Sequence, residues 1–381
     1  GESCIIIHRF QIYKIKIFKK KYFKNDYEIL SQAFGIFEVK MYSEFVKKLK
    51  KILEGLKNCA IIPHKNPDAD ALGASMALYV FLTKLGIKTK VILPNSPPSY
   101  LEWMISKYEV ISYEKNPQES KEYLSKSEIL FAIDFNSLKR IGTLSNEIEK
   151  SRGQIIMIDH HESPEKFSNL FLSEPEIGST CEIVYNIIKL INNKFIDKEI
   201  ATYIYSGILT DTGSFKYPLT SGATHKIVCE LFKKGINHTE IHERIYDNFS
   251  FDRVNLLATA LKKMKHIKNL GVVYTILSNE TLERFNFQKG DTEGFVNFGL
   301  RINEVNLSVI FIEDKNENLI KISFRSKKQI DVNKFAKKYF SGGGHKNAAG
   351  GFSKNSIYET EKKFVSSIYE FFKLWKKNII F

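Results

Sequence analysis

The sequence predicts an α/β protein: a parallel-sheet domain followed by a smaller α/β domain. Three observations carry that reading. Residues 60–62, Ile129–Ile133 and 155–158 are short, uniformly apolar runs, the pattern of strands covered on both faces. Helical patterns follow these runs, giving the strand–helix alternation of a parallel sheet. Strand patterns then start afresh at 271–277 and continue through 307–312 and 319–324, after a helical stretch over about 220–265.

Taken in order, residues 1–40 carry Lys19-Lys20-Lys21 among scattered aromatics with neither helical nor strand period. They are expected to be a non-functional extension preceding a natural start at Met41. From there Phe45, Val46, Leu49, Ile52, Leu53 and Leu56 recur at helical spacing. The strand at 60–62 ends in His64-Lys65-Asn66-Pro67-Asp68-Ala69-Asp70. An apolar helix over 72–85 follows and is closed by Gly86. Lys88–Leu93 is the next strand, and Pro94-Asn95-Ser96-Pro97-Pro98 is a turn. The strand at 129–133 ends in Asp134, and the strand at 155–158 in Asp159-His160-His161. Helical patterns near 178–191 and 197–209 lead into Asp211-Thr212-Gly213, and Val332–Tyr339 precedes Gly342-Gly343-Gly344-His345. The expected division is a first domain over 41–248, a linker over 249–270 and a second domain over 271–381.

Composition excludes more than it assigns. Hydrophobic residues at 43% and charged residues at 26% are ordinary for a soluble globular chain. The net charge of +14 suits a phosphorylated substrate, yet only eight of the 57 basic residues are arginine, and a lysine-, asparagine- and isoleucine-rich coding bias gives the same excess. Cys4, Cys59, Cys181 and Cys229 have no C-x-x-C spacing, which argues against a zinc ribbon or disulfide framework. No apolar run reaches bilayer length and no signal peptide stands out, so no membrane partner is expected and a cytoplasmic location is.

The candidate site lies at the strand ends, because ligands of open parallel sheets bind outside the carboxyl ends of the strands. Singly, each group has a bland role: Asp134 as a helix cap, His64 as a core histidine, Asp211 as the start of a turn. Jointly they do not. Gathering that many carboxylates without a cation costs many kcal/mol in repulsion and desolvation. Carboxylate and imidazole donors without thiolate point to two divalent ions, Mn²⁺ or Mg²⁺, in preference to zinc.

On these residues the chain resembles the DHH phosphoesterases, named for a triplet matching Asp159-His160-His161. His64-x-x-x-Asp68-x-Asp70, Asp134 and Gly207-x-x-x-Asp211-Thr212-Gly213 stand in the family's order and approximate spacing. Lys321-Ile322-Ser323-Phe324-Arg325-Ser326-Lys327 and Gly342-Gly343-Gly344-His345-Lys346-Asn347-Ala348-Ala349-Gly350 look like its C-terminal substrate-binding domain. The arrangement is most similar to bacterial oligoribonucleases that also act as pAp phosphatases, the nanoRNases. The resemblance implies a catalytic first domain and a substrate-binding second domain with a glycine-rich GGGH loop. It implies that His64, Asp68 and Asp134 hold one metal, and that Asp70, Asp134, His160 and Asp211 hold the other. Two cations about 3.5–4 Å apart can activate water and clamp the attacking and leaving oxygens. Asp159 is cast as the acceptor that orients an imidazole. His161 is cast as the group that meets the scissile phosphate or protonates the leaving oxygen.

Arg325, Ser326, Gly343, Gly344, His345 and Lys346 are expected to bind substrate, with Arg325 and His345 on its non-reacting end. The implied substrates are short RNA oligonucleotides, pAp or linear dinucleotides, and the implied assembly is a homodimer. A RecJ-like single-strand exonuclease and a cyclic- or linear-dinucleotide phosphodiesterase remain as alternatives. A family II pyrophosphatase shares only the first domain. A non-catalytic scaffold would have lost ligands, and every expected ligand is present.

Overall fold

The computed structural model describes residues 42–379, so the extension expected over 1–40 lies outside the described residues. Helix α1 (42–53) leads into a six-stranded sheet made of β1 (Asn58–Pro63), β2 (Lys88–Leu93), β3 (Val110–Ser112), β4 (Ile129–Ile133), β5 (Gln154–Asp159) and β6 (Leu170–Ser173). The strand order is β3-β2-β1-β4-β5-β6 and every pair is parallel. Chain progression reverses between β1 and β4, which opens the crevice where doubly wound sheets bind ligands.

Apolar runs suit these strands because both faces are covered. Ile61, Phe131 and Ile158 point toward a core shared with α2 (Ala69–Lys84), α5 (Thr180–Asn192) and α6 (Lys198–Asp211). Ile62, Leu130 and Met157 point the other way, toward Leu124 of α3 (Pro117–Lys126) and Ile148 of α4 (Ser145–Lys150). Helix α2 starts three residues before the apolar pattern that predicted it. The Asp68 side chain caps it by accepting from the N–H groups of Asp70 and Ala71. Close approach of α2 and α6 depends on Gly207, where a Cβ would lie 2.7 Å from Asp70 Oδ1 and 2.3 Å from Cys181 Sγ.

Helices α7 (Gly222–Phe232), α8 (His238–Tyr246) and α9 (Phe251–Lys262) follow. Residues 249–270, expected as a linker, carry α9 and β7 (Lys265–Ile267), and α9 packs Leu256 and Ala260 onto the second sheet. That sheet contains β7, β8 (Val272–Leu277), β9 (Leu307–Asp314), β10 (Leu319–Ser326), β11 (Gly343–His345) and β12 (Ala348–Ser353), in the order β11-β12-β10-β9-β8-β7. Only β8 and β9 run parallel. One face packs Ile322 and Phe324 against α12 (Val332–Tyr339) and α13 (Ile357–Ile379) through Phe335 and Phe364. The other face is covered over β8 and β9 by α9, α10 (Asn279–Arg284) and α11 (Phe295–Gly299). Over β10, β12 and β11 that second face carries polar and small residues: Lys321, Ser323 and Arg325, then Gly350 and Ala348.

The glycine-rich stretch expected as a loop is instead the edge strand β11, joined to β12 by the two-residue turn Lys346-Asn347. Glycine permits the close pairing. A Cβ on Gly342 would lie 1.9 Å from the Gly350 carbonyl oxygen, and one on Gly344, whose φ is +147°, would lie 2.5 Å from that of Ala348.

Candidate metal centre

The carboxyl ends of β1, β4 and β5 deliver most of the site. His64 follows β1, Asp134 follows β4, Asp159 ends β5, and His160 and His161 continue from it. Asp68 and Asp70 come from the start of α2, and Asp211 ends α6. Their donor atoms form three groups, two of which share Asp134: His64, Asp68 and Asp134; Asp70, His160 and Asp211; Asp134, Asp159 and His161. Within each group the atoms lie within 4.8 Å of one another. Asp134 is the hinge between them. Its Oδ2 lies 3.4 Å from His64 Nε2, and its Oδ1 lies 3.6 Å from His160 Nε2 and 3.7 Å from His161 Nδ1. Asp134 also holds φ at +63°, a conformation that Asp and Asn tolerate better than most residues and that concentrates at functional sites.

Backbone contacts aim the imidazoles. His64 Nδ1 donates to the Lys65 carbonyl at 2.9 Å and His160 Nδ1 to the Ile177 carbonyl at 3.1 Å. A carbonyl can only accept, so in the neutral form of each ring the Nε2 atom is the one with a lone pair toward the carboxylates, as in metal-binding imidazoles. His160 Nε2 lies 3.2 Å from Asp211 Oδ2, and His64 Nε2 lies 3.7 Å from Asp68 Oδ2. Asp159 accepts from the His161 backbone N–H at 2.9 Å through Oδ2, while its Oδ1 lies 2.8 Å from His161 Nδ1. This pair of contacts fixes the His161 ring.

Five carboxylates converge here, and among the described residues their ion-pair partners are histidines alone. The N-terminus of α5 supplies neutral donors in place of cations. Asp70 accepts from the backbone N–H groups of Thr180 at 2.7 Å and Cys181 at 2.9 Å, and Asp134 accepts from the Thr180 hydroxyl at 2.7 Å. The electrostatic consequence is an appetite for positive charge. Burial, then the charges of Asp134 and Asp211, raises the Asp70 carboxyl well above its usual range. Burial, then Asp68 and Asp134, does the same to Asp211. Burial opposes a charged His64, yet its contacts with Asp134 and Asp68 outweigh that and push it up to about 10. Protons are being drawn to positions where divalent ions would satisfy the same carboxylates, so the donor set fits a metal centre.

Of the substrate-binding candidates, only His345 joins this cluster. Its ring stacks on His161 with centroids 4.8 Å apart and an interplanar angle of 23°, and lies 5.3 Å from His160. Burial, then the charge of His160, depresses His345 to about 4. His345 was expected to hold the non-reacting end of the substrate, and its ring lies beside His160 and His161. Arg325 sits on the open face of β10, in register with Ala348, which itself faces His345. Ser326 is buried, donating to the Ile330 carbonyl at 2.7 Å and accepting from Asn347 at 2.9 Å. The Gly344 N–H donates to Asn333 at 3.1 Å, Gly343 pairs with Gly350, and Lys346 reaches Gln329 at 2.6 Å.

Two contributors carried no sequence signal. Thr180 lies in a Gly-Ser-Thr run that reads as an ordinary helix start. Arg140 lies in a 3₁₀ segment, Leu138–Leu144, and its carbonyl accepts from the Lys65 N–H at 2.8 Å. Its charge opposes the rise that burial imposes on Asp159 and Asp211, adds to the lowering that His64 imposes on Asp68, and opposes protonation of His161 and His345. The two halves of the chain also meet at Lys65–Glu317, 3.6 Å apart, and at Lys289, which donates to the Ser96 carbonyl at 3.4 Å.

Comparison with known proteins agrees with this architecture. Residues 58–208 match the N-terminal domain of the DHH family, and residues 269–374 match the DHHA1 domain. The bifunctional oligoribonuclease and PAP phosphatase NrnA of Thermus thermophilus is 28% identical over 81% of this chain and 88% of its own length. The NrnA of Bacillus subtilis is 25% identical over 78% of this chain and 89% of its own length. The crystal structure of an exopolyphosphatase-related protein from Bacteroides fragilis superposes with a TM-score of 0.83 and 35% identity, covering 88% of this chain and 98% of that one. With both domain models in sequence order and a relative of that identity spanned almost entirely, the chain belongs to the DHH family and carries a DHHA1 domain.

Proposed function

We propose that this chain is a metal-dependent phosphoesterase that hydrolyses short oligoribonucleotides to mononucleotides and dephosphorylates pAp. The observation that carries the reading is the convergence of five carboxylates and two aimed imidazoles at the β1/β4 crevice with no lysine or arginine ion pair among the described residues to neutralise them. His64, Asp68 and Asp134 would hold one divalent ion, and Asp70, Asp134, His160 and Asp211 the other. When bound, such ions activate water and stabilise charge on the phosphoryl oxygens, with Mn²⁺ and Mg²⁺ favoured by an oxygen and imidazole donor set.

The protein's own groups divide the remaining work. Asp159 locks the His161 ring by two contacts, so His161 meets the scissile phosphate with a fixed geometry. Thr180 holds Asp134 in place, and the α5 N-terminus holds Asp70. Arg140 brings a permanent positive charge to the rim, suited to the extra charge a phosphoryl group carries in the transition state. The domain over 41–248 would cut and that over 271–381 would hold the substrate, with residues between them as the connection.

The deciding experiment supplies RNA of two to five nucleotides and, separately, pAp to chelated protein, then adds Mn²⁺ back. Expected are no release before metal and mononucleotide or phosphate release after it. Full activity after exhaustive chelation, or activation by zinc alone, overturns the metal reading. Preference for a 20-mer over a trimer in one tube overturns the short-substrate reading. Arg140→Ala is expected to lower kcat by roughly 10²-fold, with partial recovery in added guanidinium. An unchanged kcat in that variant removes Arg140 from the chemistry.

A further inference from the structure

We infer that the open face of the second sheet holds a base-stacking subsite, with Phe352 as the platform, for the nucleotide next to the one at the metal centre. The inference rests on the proposed oligonucleotide substrate and adds where that substrate's second base lies.

Strand register gives the layout. Arg325, Ala348 and His345 form one cross-strand row, and His345 in that row stacks on His161. Ser323, Gly350 and Gly343 form the next row, and Lys321 pairs with Phe352 in the one beyond. Successive same-face rows lie about 7 Å apart, so Phe352 lies two rows, about 14 Å, from the His345 row; one nucleotide repeat of an extended strand brings the next sugar-phosphate over the glycine row and leaves its base to reach Phe352. A substrate leaving the metal centre along this face therefore crosses a floor of small residues and arrives at an aromatic ring beside a lysine. A cavity of about 290 Å³ opens there, lined by Lys321, Gly343, Gly350, Phe352 and Glu317 among others. Glu317 is the residue that meets Lys65, the neighbour of His64. The cavity thus adjoins the contact with the catalytic half.

The floor glycines point to a ligand. Gly342 and Gly344 are required by packing, since a Cβ on either would collide with β12 carbonyls. Gly343 and Gly350 are not. At Gly343 a Cβ would meet nothing closer than the flexible end of Lys337 at 3.6 Å and Asn333 at 3.7 Å, both on α12; at Gly350 it would meet nothing closer than 3.8 Å, and neither glycine has a positive φ. Facing each other in register, they leave a flat backbone surface inside the cavity. A single exposed phenylalanine is commonplace on a protein surface. Phe352, 39% exposed just beyond the paired Gly343 and Gly350 and two rows from the one that holds His345, has the form of a stacking platform. Stacking accepts any base, so the subsite would set length preference more than sequence preference.

The test couples the ring to the base. With dinucleotides made abasic at one end or the other, native protein is expected to lose about tenfold in kcat/KM when the distal base is removed. Phe352→Ala should lose about tenfold on the intact dinucleotide. The two changes together should cost no more than either alone. Phe352→Tyr, which keeps the ring, should retain the native KM. In the Asp134→Asn background, a dinucleotide carrying 2-aminopurine at the distal position should be quenched on binding, and Phe352→Ala should abolish the quench. Additive losses, or quenching that survives Phe352→Ala, overturn the subsite. If native protein leaves every oligonucleotide intact, the proposed function fails. The fluorescence titration then still decides whether a base stacks on Phe352.

Discussion

Asp134→Asn is expected to fold normally and to lose more than the roughly 10²–10³-fold in kcat that removal of a single transition-state donor costs. The size follows from position. Asp134 is 2% exposed, faces His64, His160 and His161, and is the only carboxylate shared by both proposed metal sets. Asparagine is the informative replacement because φ is +63° there, and asparagine tolerates that conformation where alanine adds strain. Thermal unfolding separates chemistry from folding. In chelator the variant should melt within a few degrees of the native protein. Added Mn²⁺ should raise the native melting temperature, as a ligand of the folded state must, and should raise that of the variant far less. Near-native turnover, or an undiminished Mn²⁺ shift, would remove Asp134 from the centre.

His345→Ala should lower kcat by about 10²-fold even on a minimal activated phosphodiester with no second nucleotide. Had the residue held only the far end of the substrate, such a molecule would be indifferent to its loss. The 4.8 Å stack on His161 makes the stronger demand, because it places a group of the second domain against the ring proposed to meet the reacting phosphate. Arg325→Ala supplies the contrast. Its loss should appear mainly in KM and mainly on oligonucleotides. Equal effects of the two variants on the minimal substrate would collapse the distinction between them.

What the sequence made legible was whatever a local pattern encodes. Uniformly apolar strands located β1, β4 and β5, and the residues just beyond them were His64, Asp134 and His160, because chain direction in a parallel sheet fixes which end carries the ligands. Gly207 was legible as part of a motif, but its reason, the approach of α6 to Asp70, needed coordinates. Thr180 and Arg140 were not legible. A hydroxyl at a helix start and an arginine in a polar loop resemble dozens of ordinary residues until folding sets them beside carboxylates. His345 was recognised as a candidate, but its stacking on His161 was not legible, since nothing in a linear pattern says how two domains face one another. The loop expected at Gly342–Gly344 became a strand because its pairing partner lies past the turn, beyond the reach of composition.

The turn Lys346-Asn347 is pinned on several sides. The Ser326 N–H donates to the Asn347 carbonyl at 3.0 Å, the Asn347 amide reaches Ser326 Oγ, and the Val332 N–H donates to the Lys346 carbonyl at 2.8 Å. Side chains alternate between faces along a strand, so the hairpin acts as a reading frame. One inserted or deleted residue would turn His345 away from His161 without touching either domain's core. Substitutions on this hairpin would be graded in their effects, whereas a change in its length would be all or none. The surface loops of either domain can therefore absorb an insertion that this turn cannot.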